Sequence, residues 1–204
     1  MITETLKNRK RSTSKAIILH LDGDKKYSKR AINFYNNLNL KAIVENIAER
    51  QQPMEVVYLL EKYKPNILVT TGHDLMFKKG QDLYKIENYK NSKYFIQTVR
   101  NARVWEKSEE KLIIIAGACE SFYEALMLEG ANFASSPARI MVEYRDPLII
   151  ASKIAFTEST KYIGINDLKP YLKSNYNGMG GTRAKGKKNG WQNDKKQKCN
   201  SIVI

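Results

Sequence analysis

Two histidines, His20 and His73, and two cysteines, Cys119 and Cys199, are the chain's whole supply of imidazole and thiol. His73 directly follows the apolar run NILVTTG, and Cys119 directly follows LIIIAGA. Each flank reads as a buried strand, then small residues, then a reactive side chain. Small residues let a substrate backbone approach closely. An imidazole beside a thiol can take its proton and leave a nucleophilic thiolate. The imidazolium can then protonate a leaving amine. If Cys119 opens the helix that follows it, the positive end of that helix also favours the thiolate. The backbone N–H groups of Asp74 and Cys119 are candidates for an oxyanion hole, where losing one donor costs about 3 kcal/mol. No third catalytic member is evident. The bland readings stay open: a lone cysteine after a strand is also a small buried hydrophobe. His73 could be an ordinary hydrogen-bonded residue. His20, inside the first apolar run, reads as a core histidine. Cys199 sits in a basic tail and reads as an exposed thiol.

The elements that would position His73 and Cys119 alternate along the chain. Apolar runs at 16–21, 42–44, 66–70, 112–116, 140–142 and 162–165 read as strands. Helical spacing predicts helices over 27–38, 53–63, 92–104, 120–129 and 147–155, with Pro53 at a first turn and Ser92 as a cap. This order predicts an α/β fold: a mostly parallel, Rossmann-like sheet with helices on both faces. Sites in such sheets lie outside the carboxyl ends of the strands, where both His73 and Cys119 fall.

The net charge is +14, but residues 1–15 carry +4 of it and residues 174–204 carry +6. The expected organisation is a basic N-terminal tail (1–15), an α/β domain (16–176) and a Gly/Lys-rich C-terminal loop and tail (177–204). Basicity confined to the ends, with no RRM-like or zinc-finger pattern, argues against specific nucleic-acid recognition. Two cysteines are too few for a disulfide framework or a four-cysteine zinc site, so no metal or organic cofactor is expected. No apolar run approaches the roughly 18 residues that cross a bilayer, and no signal-peptide-like stretch follows the basic start. The expectation is a protein made and used in a cytoplasm, with no membrane partner.

Several blocks carry a family resemblance: HLDGD (20–24), GHD (72–74), NYKNSKYF (88–95), GACESFYEA (117–125), GANFASSPARI (130–140), DPLIIASKIAFT (146–157) and GMGGTRAKGKKNG (178–190). Over about residues 16–190 the chain resembles the YabG family of sporulation-specific proteases. The paired strand-then-His and strand-then-Cys blocks also resemble the clan of caspases, gingipains and clostripain. The resemblance implies a caspase-like α/β fold and a catalytic dyad in which His73 is the base and Cys119 the nucleophile. It also implies an S1 pocket built partly by the loop after the first strand, which makes Asp22 and Asp24 candidate S1 carboxylates. A carboxylate there favours Arg or Lys at the cleaved position. In that clan a glycine commonly follows the histidine; here Asp74 does. Asp22, Asp24 and Asp74 are equally readable as turn and cap residues. Ser135 and Ser136 read as cleft lining or as a turn before Pro137. The GMGG segment (178–181) reads as a lid or as a linker.

The expected function is therefore a cysteine endopeptidase of the sporulation pathway. Its substrates would be spore-coat and other spore proteins, met in the mother-cell cytoplasm or at the coat. Two other readings remain. One is a thiol hydrolase or amidotransferase using the same cysteine on a small substrate. The other is a basic spore-coat binding or scaffold protein without catalysis.

Overall fold

A computed structural model of the protein describes residues 14–77, 82–174 and 177–188. Most of the basic N-terminal tail, and Cys199 with the tail around it, lie outside these residues. The elements run β1 (Ile17–Asp22), α1 (Lys25–Asn37), β2 (Lys41–Asn46), α2 (Gln52–Tyr63), β3 (Ile67–Thr71) and α3 (Ser92–Trp105). They continue with β4 (Ile113–Ala116), α4 (Tyr123–Leu128), β5 (Phe133–Ser135), α5 (Arg145–Phe156), β6 (Tyr162–Gly164), α6 (Ile165–Leu168), β7 (Met179–Gly181) and β8 (Arg183–Lys185).

Six strands form one sheet in the order β2-β1-β3-β4-β5-β7. The pairs among β1 to β5 are parallel, and β7 joins β5 antiparallel. Strands β6 and β8 make a separate antiparallel pair. The continuous apolar runs in β1, β3 and β4 are explained by two buried faces. Ile18, Ile67, Val69, Ile113 and Ile115 face α1 and α5, where they meet Ala31, Tyr35, Leu148 and Ile150. The alternate residues Leu19, Leu21, Leu68 and Ile114 face α2, α3 and α4, against Val56, Leu60, Phe95, Val99 and Leu126. Each fully buried Leu or Ile among them contributes about 1.5–3 kcal/mol from apolar burial. The α/β class, the mostly parallel sheet and the helices on both faces are as the sequence leads one to expect, and the arrangement is consistent with a caspase-like one.

Three expectations need correction. Residues 140–142 are not a strand; Met141 is exposed, and the fifth strand is the three-residue Phe133–Ser135. The helix after Cys119 begins only at Tyr123, so Cys119 lies in a turn and not at a helix N-terminus. Residues 177–188 are not simply loop: β7 pairs along β5 at the sheet edge, and Met179 and Ala184 are buried. Glycine is what permits this. A Cβ on Gly180 would meet the Tyr123 ring at 2.6 Å, and one on Gly181 would meet the Asn132 carbonyl oxygen at 2.5 Å.

Gly117 links β4 to the cysteine turn at φ 98°, and a Cβ there would meet Leu126 Cδ1 at 2.8 Å. Gly117→Ala is therefore expected to cost at least about 2 kcal/mol, from the left-handed backbone and the clash together. For a chain of this size that lowers the thermal midpoint by about 4–8 °C, which calorimetry can check.

Candidate active site

From β1 the chain passes through α1 to β2 on one side, and β3 then returns to the other side of β1. The carboxyl ends of β1 and β3 thus flank the reversal point of the sheet, where parallel α/β folds open a crevice. The residues just beyond both ends meet there. His73 Nε2 lies 2.9 Å from Asp24 Oδ2. Asp24 Oδ1 accepts from the amides of Lys26 at 2.7 Å and Tyr27 at 3.2 Å, so the same carboxylate caps α1 and fixes its own orientation. The bond from His73, with the capping amides, holds the Asp24 carboxyl below the usual carboxylate range against the opposing effect of burial. A carboxylate only accepts, so Nε2 is the donor in this bond, and in the neutral ring the lone pair is then on Nδ1.

Two further contacts fix His73. Its amide donates to Glu49 Oε1 at 2.7 Å, and its carbonyl accepts from Asn91 Nδ2 at 2.8 Å. The Glu49 carboxylate lies over Gly23 and Gly72, where a Cβ would come within 2.2 and 2.4 Å of it. The imidazole itself remains open, with 60% of its side-chain surface exposed.

Strand register brings the segment that leads to Cys119 to the same rim as the one that leads to His73. Thr70 of β3 pairs with Ala116 of β4, and His73 and Cys119 each follow three residues later. Neighbouring strands lie about 4.8 Å apart, so matched offsets bring the two chain segments side by side. The last backbone link between them is the Gly117 amide on the Thr70 carbonyl, at 3.0 Å. Cys119 is partly exposed, and its Sγ accepts from the Val142 amide at 3.3 Å and contacts the Val142 carbonyl oxygen at 3.7 Å. The imidazole and the sulfur are thus each bonded to other partners and not to one another. Unliganded thiol–imidazole pairs commonly tighten only when substrate binds. An aromatic pair spans the same rim: Tyr27 meets the His73 ring edge-on at 6.0 Å and lies 5.3 Å from Tyr144, two residues past Val142. Among the described residues, the amides of Asp74 and Cys119 donate to no protein acceptor.

Asp22 behaves differently from Asp24. It is 5% exposed and turned inward, accepting from Thr71 Oγ1 at 2.8 Å and from the Asp24 amide at 2.7 Å. His20 lies beneath it, 1% exposed, bonded through Nε2 to Thr71 Oγ1 at 2.8 Å and through Nδ1 to Tyr35 OH at 3.2 Å. Burial, and then the charge of Asp22, push the Tyr35 phenol well above its ordinary pKa. Ser135 and Ser136 are also buried, bonded to Met179 and to Ile140. The link from Asp24 to His73 and the presence of Glu49 escaped the sequence reading. Forty-nine residues separate the first pair, and an acid in a loop carries no local signature. A cavity of about 330 Å³ lined by Lys15, Lys64, Trp105 and Lys111 lies at the opposite, amino ends of the strands. Among the described residues there is no cluster of His, Cys, Asp and Glu suited to a metal, and no helix long and apolar enough to cross a membrane.

A family model described as YabG peptidase U57 matches residues 2–191. The chain is also 37% identical, over 169 residues, to the sporulation-specific protease YabG of Bacillus subtilis (strain 168). That match covers 83% of this chain and 58% of the relative, so the chain spans little more than half of the relative's length.

Proposed function

The chain belongs to the YabG peptidase U57 family, and from that premise we propose that it is a cysteine endopeptidase of sporulation. Its nucleophile is Cys119 and its general base is His73. The observation that carries the reading is their matched offset past paired residues of β3 and β4, at a rim with two unengaged amides.

The steps follow from these groups. Nδ1 of His73 takes the thiol proton, and the Cys119 sulfur bonds to the scissile carbonyl carbon. The oxyanion that forms is held by the amides of Asp74 and Cys119. Its collapse breaks the C–N bond, and the imidazolium gives its proton to the departing amine. Water then adds to the acyl-thioester with His73 again as base, the C–S bond breaks, and the thiol is restored. Asp24 keeps the proton on Nε2 throughout, so Nδ1 is always the nitrogen that works.

The substrates we assign are spore-coat and other spore proteins, cut after Arg or Lys. Support for the basic preference is the acidic rim beside His73, made of Asp24 and Glu49 with Asp22 beneath. The test is to digest a spore-coat protein and sequence the product termini, with free glutamine as a control for amidotransferase chemistry. The expected result is Arg or Lys at the new carboxyl termini and no glutamine hydrolysis. A charge-assisted contact contributes about 1.5–3 kcal/mol, so Glu49→Gln should lower kcat/KM at least about tenfold for an Arg peptide relative to a neutral one. An unchanged ratio would remove Glu49 from the specificity site.

A further inference from the structure

The side chain next to His73 has a connection that its backbone role does not explain. Asp74 is 7% exposed and accepts four hydrogen bonds. Oδ1 takes the amides of Leu75 at 2.9 Å and Asn91 at 2.8 Å. Oδ2 takes the hydroxyls of Ser92 at 2.5 Å and Ser121 at 2.9 Å. Each hydroxyl passes the link on. Ser121 Oγ accepts the Ala118 amide at 2.9 Å, and Ser92 Oγ accepts the Phe122 amide at 2.8 Å. Two routes, each of two bonds, therefore lead from Asp74 to amides on either side of Cys119, those of Ala118 and Phe122. A third route crosses the same gap, from the Glu120 carboxylate to the Met76 amide at 3.2 Å.

These bonds begin where the β-ladder ends. Beyond the Gly117 amide no backbone bond ties the His73 segment to the Cys119 segment among the described residues. Without another tie, their separation would be set by two loops. A misplacement of 1 Å between reacting groups can cost about a hundredfold in rate. We propose that the Asp74 side chain, acting through Ser121 and Ser92, is the positioning group that holds the Cys119 turn in register with His73. The inference rests on the dyad reading above.

Burial outweighs the four donated bonds and raises the Asp74 pKa above the usual carboxylate value. The sign follows: a carboxyl whose pKa is raised by folding favours the folded state at low pH, and that contribution disappears as pH rises through the folded pKa. Once ionised, the buried group is therefore a cost to the fold. A neutral isostere is tolerated for stability, while only an all-acceptor group can receive four donors at once.

The experiment uses the full chain and the Asp74→Asn and Ser121→Ala variants. Peptide hydrolysis, the rate of Cys119 alkylation by iodoacetamide at pH 7 and the thermal midpoint are measured together. Asp74→Asn is expected to lower kcat about ten- to a hundredfold, with KM within about threefold. Alkylation should slow about tenfold, and the midpoint should stay within a few degrees. Ser121→Ala, which leaves Asp74 in place, should show the same split more weakly. It decides the matter if Asp74→Asn does not fold. Wild-type kcat and alkylation in folded variants overturn the positioning role while a dead Cys119→Ala leaves the dyad standing. A fully active Cys119→Ala removes both.

Discussion

Cys119→Ala is expected to abolish peptide hydrolysis, lowering kcat by about a thousandfold or more, with the fold intact. The reason is chemical. No other thiol lies among the described residues, and without the sulfur no acyl-thioester forms. What survives is oxyanion stabilisation and binding alone, which still leave hydrolysis about 10³- to 10⁴-fold above the rate in water but far below that of the intact site. The structural loss is small. Sγ accepts one amide bond from Val142, at 3.3 Å in a partly buried setting, so its removal costs about 1 kcal/mol. Circular dichroism should show an unchanged α/β spectrum and a midpoint lowered by only about 2–4 °C. Retained hydrolysis in that variant would shift the function to a non-thiol site or to a binding role.

His73→Ala is the second large effect, a loss of about 10²- to 10⁴-fold in kcat. It removes the proton acceptor for the thiol and the donor for the leaving amine in one step. The variant separates the base from the nucleophile by chemistry, since the sulfur remains in place. Alkylation of Cys119 near pH 7 should slow in parallel, since both readouts report thiolate. Asp24 loses its ring partner, yet it keeps the two amide bonds that cap α1. The helix therefore stays in place, and the loss is kinetic.

How far the sequence reaches is visible in particular residues. The central strands were legible because β1, β3 and β4 are buried on both faces, which leaves unbroken runs such as IILHL and IIIA. The rim position of His73 and Cys119 followed from those runs. Strand β5 was not legible. Phe133–Ser135 is three residues long and sits among Gly, Ser and Pro, while the more apolar 140–142 drew the assignment away. That stretch instead carries the amide that binds the Cys119 sulfur. Strands β7 and β8 were hidden because glycines read as loop, whereas here they make room for the rings of Tyr123 and Phe133. At the site, the long-range bonds were out of reach of any local pattern. The links from Asp24 to His73 and from Asp74 to Ser121 join residues separated by 49 and 47 positions. Only the sheet's register decides that they meet.

The late arrival of β7 bears on how the protein matures. A nascent chain that has left the ribosome through β5 already carries both reactive side chains, but its sheet ends in an unpaired edge. Such an edge is a template for promiscuous pairing. Met179–Gly181 supply the missing antiparallel partner, opposite Phe133–Ser135. The edge of β5 is therefore covered only at the point in synthesis when that short glycine-bearing strand emerges, and the new edge is just three residues long.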